Sequence, residues 1–215
     1  LSPGIYKYIW TITSGICISR DTVIINNLAV PSTSNAGVDQ IVCQFSPVNL
    51  NASVPTAGTG TWTVVSKPVA NPSPTFLSPN SPTSQVVGTD LGQYVFRWTV
   101  TTGVNSSNDC QTSFDDITVD IVAAPTPALA GANQTICEGS TLTLAGNTPT
   151  VGTGTWTKVA GPVGSPEVIT NVNSSNTTVT GLLAGTYTYR WTIGASGNCT
   201  SYDEMVVTVA PKPTL

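Results

Sequence analysis

The chain has 215 residues, of which only 8% are charged, with a net charge of −4 and no histidine. Its seven Lys and Arg residues form no basic patch, which argues against binding to nucleic acid or to anionic membranes. No apolar run approaches the roughly 18 residues that span a bilayer, and 40% hydrophobic content is too high for a disordered tract.

Two motifs recur along the chain and define its organisation. Residues 58–63 and 152–157 both read Gly-Thr-Gly-Thr-Trp-Thr. A second motif, Tyr-x-aromatic-x-Trp-Thr followed by Ile or Val, occupies residues 6–12, 94–100 and 187–193. A period of about 90 residues is too long for a solenoid and is typical of a string of small β domains.

The predicted elements are short β-strands. Aromatic and polar residues alternate through the second motif, as in a half-buried strand with its aromatic face towards a core. No segment has a helical period, so about seven strands per repeat predict an all-β fold of tandem antiparallel β-sandwiches. In chain order, the strands predicted for the two complete repeats cover 48–50, 61–65, 84–87, 94–100, 117–121, 141–144, 155–159, 177–180, 187–193 and 205–209.

Short segments rich in Pro and small residues separate the repeats. They should be semi-rigid rather than floppy. The predicted domains are the last two strands of a truncated repeat at residues 1–30, a complete repeat at 31–124 and a second complete repeat at 125–215.

The first 30 residues carry an apolar face formed by Tyr6, Tyr8, Trp10 and Ile12. Each later repeat has its own aromatic strand, so this face has no partner among them. We therefore expect residues 1–30 not to fold alone. The missing first half of their repeat in a longer chain is the favoured cover, and strands donated by a neighbouring molecule are the alternative.

The five cysteines follow the repeat. Cys43 aligns with Cys137, whereas Cys110 aligns with Cys199 and Cys17, so each complete repeat has one early and one late cysteine. The alignment predicts disulfides Cys43–Cys110 and Cys137–Cys199, and leaves Cys17 unpaired within the chain. Disulfides would place the protein outside a reducing cytosol.

The Gly-Thr-Gly-Thr-Trp motif is predicted to be a turn rather than a phosphate loop, because no Lys-Ser/Thr follows it. Its glycines would supply unusual φ angles, and its tryptophan would enter the core. The predicted core residues are Trp62, Trp98, Trp156 and Trp191.

Acidic residues recur before the last strand of each repeat. Their simplest interpretation is a solvated strand start, and calcium binding is the alternative. Adjacent carboxylates on a strand should diverge, which disfavours glycosidase chemistry, and triads that need histidine are excluded. We predict no enzymatic activity, no cofactor and no metal site. The residues concerned are Asp21, Asp115, Asp116, Asp203 and Glu204, with Asp39 and its counterpart Asn133 nearby.

The turn Gly-x-Tyr before the aromatic strand resembles the tyrosine corner of immunoglobulin-like sandwiches. Together with Ala-Gly-x-[Asp/Asn]-Gln-x-[Ile/Val]-Cys, Gly-Thr-Gly-Thr-Trp-Thr and Gly-x-Tyr-x-[Phe/Tyr]-Arg-Trp-Thr, it resembles the PKD-like, immunoglobulin-like repeats of large Bacteroidota surface proteins. The resemblance covers nearly the whole chain and implies tandem immunoglobulin-like (PKD-like) antiparallel β-sandwiches in adhesins associated with type IX secretion and gliding motility. The chain lacks the Trp-Asp-Phe-Gly-Asp-Gly loop of ordinary PKD domains, and residues 21–23 resemble a Bacteroidota O-glycosylation signal.

These features predict a non-enzymatic structural segment of an extracellular stalk, fibre or adhesin on a bacterial cell surface. One alternative is a carbohydrate-binding or accessory module of a secreted protein, which exposed aromatic rows would favour. Another is a self-assembling filament subunit. The expected partners are adjacent repeats of a longer chain or neighbouring subunits, with surface glycans as a further possibility. Nucleic acid and membrane insertion are not expected.

Overall fold

The computed structural model describes residues 1–103 and 112–213. Apart from a short 3-10 turn at Ser196–Asn198, its elements are β-strands, so the predicted all-β fold is confirmed. None of the described elements is a helix long and apolar enough to cross a membrane. The strands are β1 Gly4–Ser14, β2 Cys17–Asn27, β3 Gln40–Cys43, β4 Val48–Asn49, β5 Thr59–Ser66, β6 Thr75–Phe76, β7 Gln85–Val87, β8 Gly92–Thr101, β9 Thr112–Val122, β10 Gln134–Cys137, β11 Leu142–Ala145, β12 Thr153–Ala160, β13 Val168–Ile169, β14 Asn176–Thr180, β15 Gly185–Gly194 and β16 Thr200–Ala210.

The chain divides into two compact units, residues 1–41 with 46–121 and residues 42–45 with 122–215. The first contains, apart from the last residues of β3 and β9, a sandwich whose sheets have the strand orders β3-β9-β8-β5 and β4-β7-β6. The second contains a sandwich with the matching orders β10-β16-β15-β12 and β11-β14-β13. The same seven strands therefore recur in the same places.

One edge of the second sandwich differs from the antiparallel pattern predicted from sequence. Strand β10 runs parallel to β16, with Gln134 opposite Val207 and Cys137 opposite Ala210. The other strand pairs of this sandwich are antiparallel. Parallel neighbours need a long crossover connection between them. The rest of the repeat supplies it, because β10 is the first strand of the repeat and β16 is the last.

The core of each sandwich is built from the alternating aromatic strand. In β15 the buried positions are every second residue, from Tyr187 to Ile193, as the period of two predicts. Cross-strand tryptophan pairs lie at the centre, with ring centroids 5.1 Å apart in each sandwich. All four predicted core tryptophans are confirmed as buried: Trp62, Trp98, Trp156 and Trp191.

The two glycines of the Gly-Thr-Gly-Thr-Trp motif have different roles. The first, Gly152, has φ +96°, a conformation that residues with a side chain rarely adopt. The second, Gly154, lies under the Trp191 ring, where a Cβ atom would come within 2.0 Å of the ring. Backbone conformation therefore explains only the first glycine, and the space taken by the tryptophan ring explains the second.

Residues 1–30 form a hairpin whose expected cover is not among the described residues, and the expectation that they do not fold alone stays a prediction. Strands β1 and β2 form a separate two-stranded sheet, paired from Gly4 opposite Asn27 to Ser14 opposite Cys17. Both faces are largely exposed, and Trp10 is 73% exposed. The hairpin is held by a ladder of eleven paired positions closed by a two-residue turn, rather than by a core.

The predicted disulfides are both wrong. The structure joins Cys43 to Cys199, with their Cα atoms 5.7 Å apart, while Cys110 lies outside the described residues. Cys137 is opposite Ala210 at the far end of β16 from Cys199, a separation of roughly 30 Å or more along the strand. A disulfide requires Cα atoms within about 7 Å, so Cys137 and Cys199 cannot pair. Cys137 and Cys17 are exposed free thiols.

Candidate functional site

The most regular polar feature of the chain fastens the segment that leads into each sandwich. We call residues 34–39 and 128–133 the lead segments. In the first sandwich, the Ser34 N–H donates to Ser113 Oγ at 2.9 Å and the Ala36 N–H donates to Asp115 Oδ2 at 2.8 Å. In the opposite direction, the Thr118 N–H donates to Asp39 Oδ1 at 2.8 Å.

The second sandwich repeats this arrangement bond for bond. The Ala128 N–H donates to Ser201 Oγ at 2.9 Å and the Ala130 N–H donates to Asp203 Oδ2 at 2.8 Å. The Val206 N–H donates to the amide oxygen of Asn133 at 2.8 Å. We call these three-bond sets the strand clamps. Each satisfies backbone donors that no sheet neighbour serves, as buried backbone groups require.

The clamps explain why Asp39 and Asn133 can exchange between repeats. Each supplies one acceptor oxygen to a backbone N–H, at Thr118 and at Val206 respectively. A neutral amide oxygen accepts this bond as a carboxylate does. Charge is not required at this position, so Asp39 and Asn133 can have the same structural role.

The acidic pairs divide their two carboxylates between different tasks, so the predicted divergence of their side chains is confirmed. Asp115 faces the lead segment, whereas Asp116 forms a bidentate pair with Arg97 at 2.7 and 2.8 Å. The hydrogen bond from Arg97 lowers the pKa of the Asp116 carboxyl below its usual value. The Arg97 guanidinium also lies 4.0 Å from the centroid of the Phe114 ring.

The outer face of the second sandwich carries a matching set of one carboxylate, one arginine and one aromatic ring. Glu204 Oε1 accepts bonds from Arg190 Nε at 2.8 Å and from Arg190 Nη2 at 2.5 Å. Arg190 lies 4.3 Å from the centroid of the Tyr202 ring. Within residues 1–103 and 112–213, no group of three or more His, Cys, Asp or Glu side chains is placed to hold a metal ion.

The tyrosine corner predicted by resemblance is present in both sandwiches. The Tyr94 hydroxyl accepts a bond from the Asp90 N–H at 2.9 Å. The Tyr187 hydroxyl accepts from the Leu183 N–H at 2.9 Å and donates to the Leu183 carbonyl at 3.0 Å. Each corner ties the start of the aromatic strand to the backbone four residues upstream.

Sequence reasoning noticed the clamp aspartates but missed their purpose and missed the serines. The signal is a Ser-x-Asp motif, present at residues 19–21, 113–115 and 201–203. Alternation places both side chains of such a motif on one face of a strand. The lead segment lies beside these side chains because the first and last strands of the repeat pair in parallel. The sequence pattern did not reveal that pairing.

Replacement of Asp203 by alanine is expected to destabilise the second sandwich by about 1.5–3 kcal/mol, because the buried Ala130 N–H loses a charged acceptor. Urea denaturation measures the change when it is monitored by a spectroscopic signal from the second sandwich. The matched control is Glu204→Ala, which removes only the half-exposed pair with Arg190 and should cost about 0–1 kcal/mol. Equal losses in the two variants would contradict a fastening role for Asp203.

Comparison with known proteins gives the sandwiches a family context. Residues 130–209 match the model of the K319L-like PKD domain family. The PKD domain of the KIAA 1837 protein is 30% identical, with 41% of this chain and 91% of that chain covered and a TM-score of 0.35. Extracellular domains 3–5 of Drosophila OTK are 10% identical, with 94% of this chain and 70% of that chain covered and a TM-score of 0.48.

No curated protein matches the chain. The family match runs from the lead segment of the second sandwich through most of β16, and it includes the Asp203 clamp. The first sandwich repeats its strand order and its clamp. The chain therefore consists of PKD-like, immunoglobulin-like β-sandwich repeats.

Proposed function

We propose that the chain is a non-enzymatic structural segment of an extracellular stalk, fibre or adhesin on a bacterial cell surface. In this role each sandwich is a spacer along the chain, and it bears the full tension between the chain ends when the Cys43–Cys199 disulfide is reduced. The observation that carries the proposal is the clamped, parallel pairing of the first and last strands of the second sandwich.

The pairing puts the two ends of the second sandwich at opposite poles. The chain arrives beside Ser201, at the start of β16, and leaves after Ala210, at its end. These points are about 30 Å apart at roughly 3.4 Å per residue. When the Cys43–Cys199 disulfide is reduced, a pull on both ends therefore draws β10 and β16 in opposite directions along their length.

Such a pull loads the ladder in shear. The bonds of a parallel pair are slanted but still join one strand to the other, so the β10–β16 bonds and the clamp bonds at Ala128 and Ala130 must yield together. In the first sandwich the lead segment is fastened at Ala36, and the Gln44 N–H bonds the Val122 carbonyl near the end of β9. The same loading is therefore expected there.

Other features support a structural rather than catalytic role, and on the outer faces of the two sandwiches they also disfavour glycan binding. One carboxylate of each acidic pair accepts a backbone bond and the other pairs with arginine. The outward rings of Phe114 and Tyr202 each have an arginine over one face, which occupies the surface that a sugar ring would stack on. The disulfide favours an extracellular location, and the repeat motifs favour a bacterial surface protein.

Single-molecule pulling in reducing buffer tests the proposal. One arrangement tethers the full chain through its two ends, and the other through its amino end and a tag inserted after Gly197, in the turn before β16. The second sandwich should unfold at a higher force in the first arrangement, because the second peels strands from one pole. Equal forces in the two arrangements would contradict the role in tension.

A further inference from the structure

The hairpin β1–β2 reproduces the closing hairpin of each sandwich, position by position. In β1 and β2 the facing positions of the aromatic side pair aromatic with aliphatic residues, tryptophan with aspartate, and isoleucine with serine, just as they do in β15 and β16. The pairs are Tyr6 with Ile25, Tyr8 with Val23, Trp10 with Asp21 and Ile12 with Ser19, against Tyr187 with Val207, Tyr189 with Met205, Trp191 with Asp203 and Ile193 with Ser201.

The two hairpins differ in what covers them. Tyr187, Trp191 and Ile193 are 0% exposed, whereas Trp10 is 73% exposed and Ile12 is 60% exposed. Removing large apolar side chains from water is favourable. The uncovered face of β1–β2 is therefore a strong site for association.

The hairpin also carries the serine and the aspartate of a strand clamp, but no lead segment binds them. Ser19 and Asp21 occupy the positions of Ser201 and Asp203, which accept backbone bonds from Ala128 and Ala130. In the hairpin, Asp21 Oδ1 accepts a bond from the adjacent Thr22 N–H at 2.8 Å. Its carboxylate thus has further acceptor capacity on the face where a lead segment would lie.

We propose that β1–β2 is the closing hairpin of a further sandwich, and that its partner is a polypeptide supplying the first five strands of a repeat of this type. The lead segment of that partner would run parallel to β2 and place an alanine N–H on Asp21. The remaining strands would cover Tyr6, Tyr8, Trp10 and Ile12. This inference rests on the repeat architecture and does not depend on the role in tension.

The clamp distinguishes this partner from a second copy of the same hairpin. Two hairpins stacked face to face would bury Asp21 against apolar rings with no backbone donor, and an unpaired buried carboxylate is strongly unfavourable. A repeat's first five strands instead bring the donors that Asp115 and Asp203 already bind. The polar and apolar parts of the surface therefore specify the same occupant.

The first test joins a copy of residues 126–184, with its cysteine changed to serine, directly before Gly4 of the full chain. Amide hydrogen exchange reports on β1 and β2. Exchange in both strands should slow by at least about tenfold, towards the rates of β15 and β16. Ser19→Ala with Asp21→Ala in the fused protein should reverse part of this protection.

A second test guards against misfolding of the added segment. The full chain is made with Gly4–Asn27 in place of residues 185–209, so that the hairpin must close the second sandwich. Cooperative unfolding and slow exchange in β11 and β14 support the proposal. The proposal is overturned if exchange in β1–β2 is unchanged by the fusion and the exchanged hairpin leaves the sandwich unfolded. Protection of β1–β2 that rises with the concentration of the unfused chain would also overturn it, in favour of a second copy.

Discussion

Cys199→Ser is expected to lower the free energy of unfolding by about 5 kcal/mol. The Cys43–Cys199 bond spans 156 residues of sequence, which include nearly all of both sandwiches. Its loss frees the unfolded chain from a long closed loop, and the entropic gain grows with the length of the loop. Guanidinium denaturation of the oxidised protein measures the change.

The control for this variant is Cys137→Ser. Cys137 occupies the same repeat position as Cys43, but its thiol is exposed and unbonded, so its replacement should leave the midpoint nearly unchanged. A reducing agent should shift the parent protein to the midpoint of Cys199→Ser and leave that variant unaffected. Equal midpoints for the two serine variants in oxidising buffer would refute the assigned pairing.

Trp191→Ala is expected to destabilise the second sandwich by about 3–5 kcal/mol, the range for removal of a large buried aromatic side chain. Trp191 is 0% exposed and lies against Trp156, and its indole N–H bonds the Asn147 carbonyl at 3.2 Å. Thermal unfolding followed by circular dichroism provides the measurement.

The chain contains a matched control for this prediction. Trp10 stands at the same place in the same motif but is 73% exposed, so Trp10→Ala should cost less than about 1 kcal/mol. Comparable losses for Trp10→Ala and Trp191→Ala would mean that the hairpin is covered in solution. In the protein extended by residues 126–184, the cost of Trp10→Ala should rise towards that of Trp191→Ala.

Much of the fold could be predicted because its signals are local. Alternation in β8 and β15 fixed the buried face, and the tyrosine corners followed from one turn motif. The repeat also indicated that neighbouring carboxylates such as Asp115 and Asp116 serve different faces of a strand. These inferences need only the period of a strand and the geometry of a turn.

The disulfides could not be predicted in the same way, because they depend on whether the first and last strands of a repeat run parallel or antiparallel. The repeat correctly aligned Cys43 with Cys137, but gave no direction for β10 against β16. Since that pair is parallel, the early and late cysteines of a repeat lie at opposite ends of one sheet. For the hairpin, the sequence indicated an apolar face that needs a cover, and the backbone ladder from Gly4 to Asn27 leaves that face exposed.

The most direct test is the end-to-end length that a single molecule reaches when it is pulled by its ends, in oxidising and then in reducing buffer. With Cys43 bonded to Cys199, only the segments outside the loop can extend, and they amount to about 20 nm at roughly 3.5 Å per residue. After reduction all 215 residues should extend to about 75 nm, with separate unfolding of the two sandwiches. Extension of the oxidised protein to its full length would contradict the covalent loop from Cys43 to Cys199.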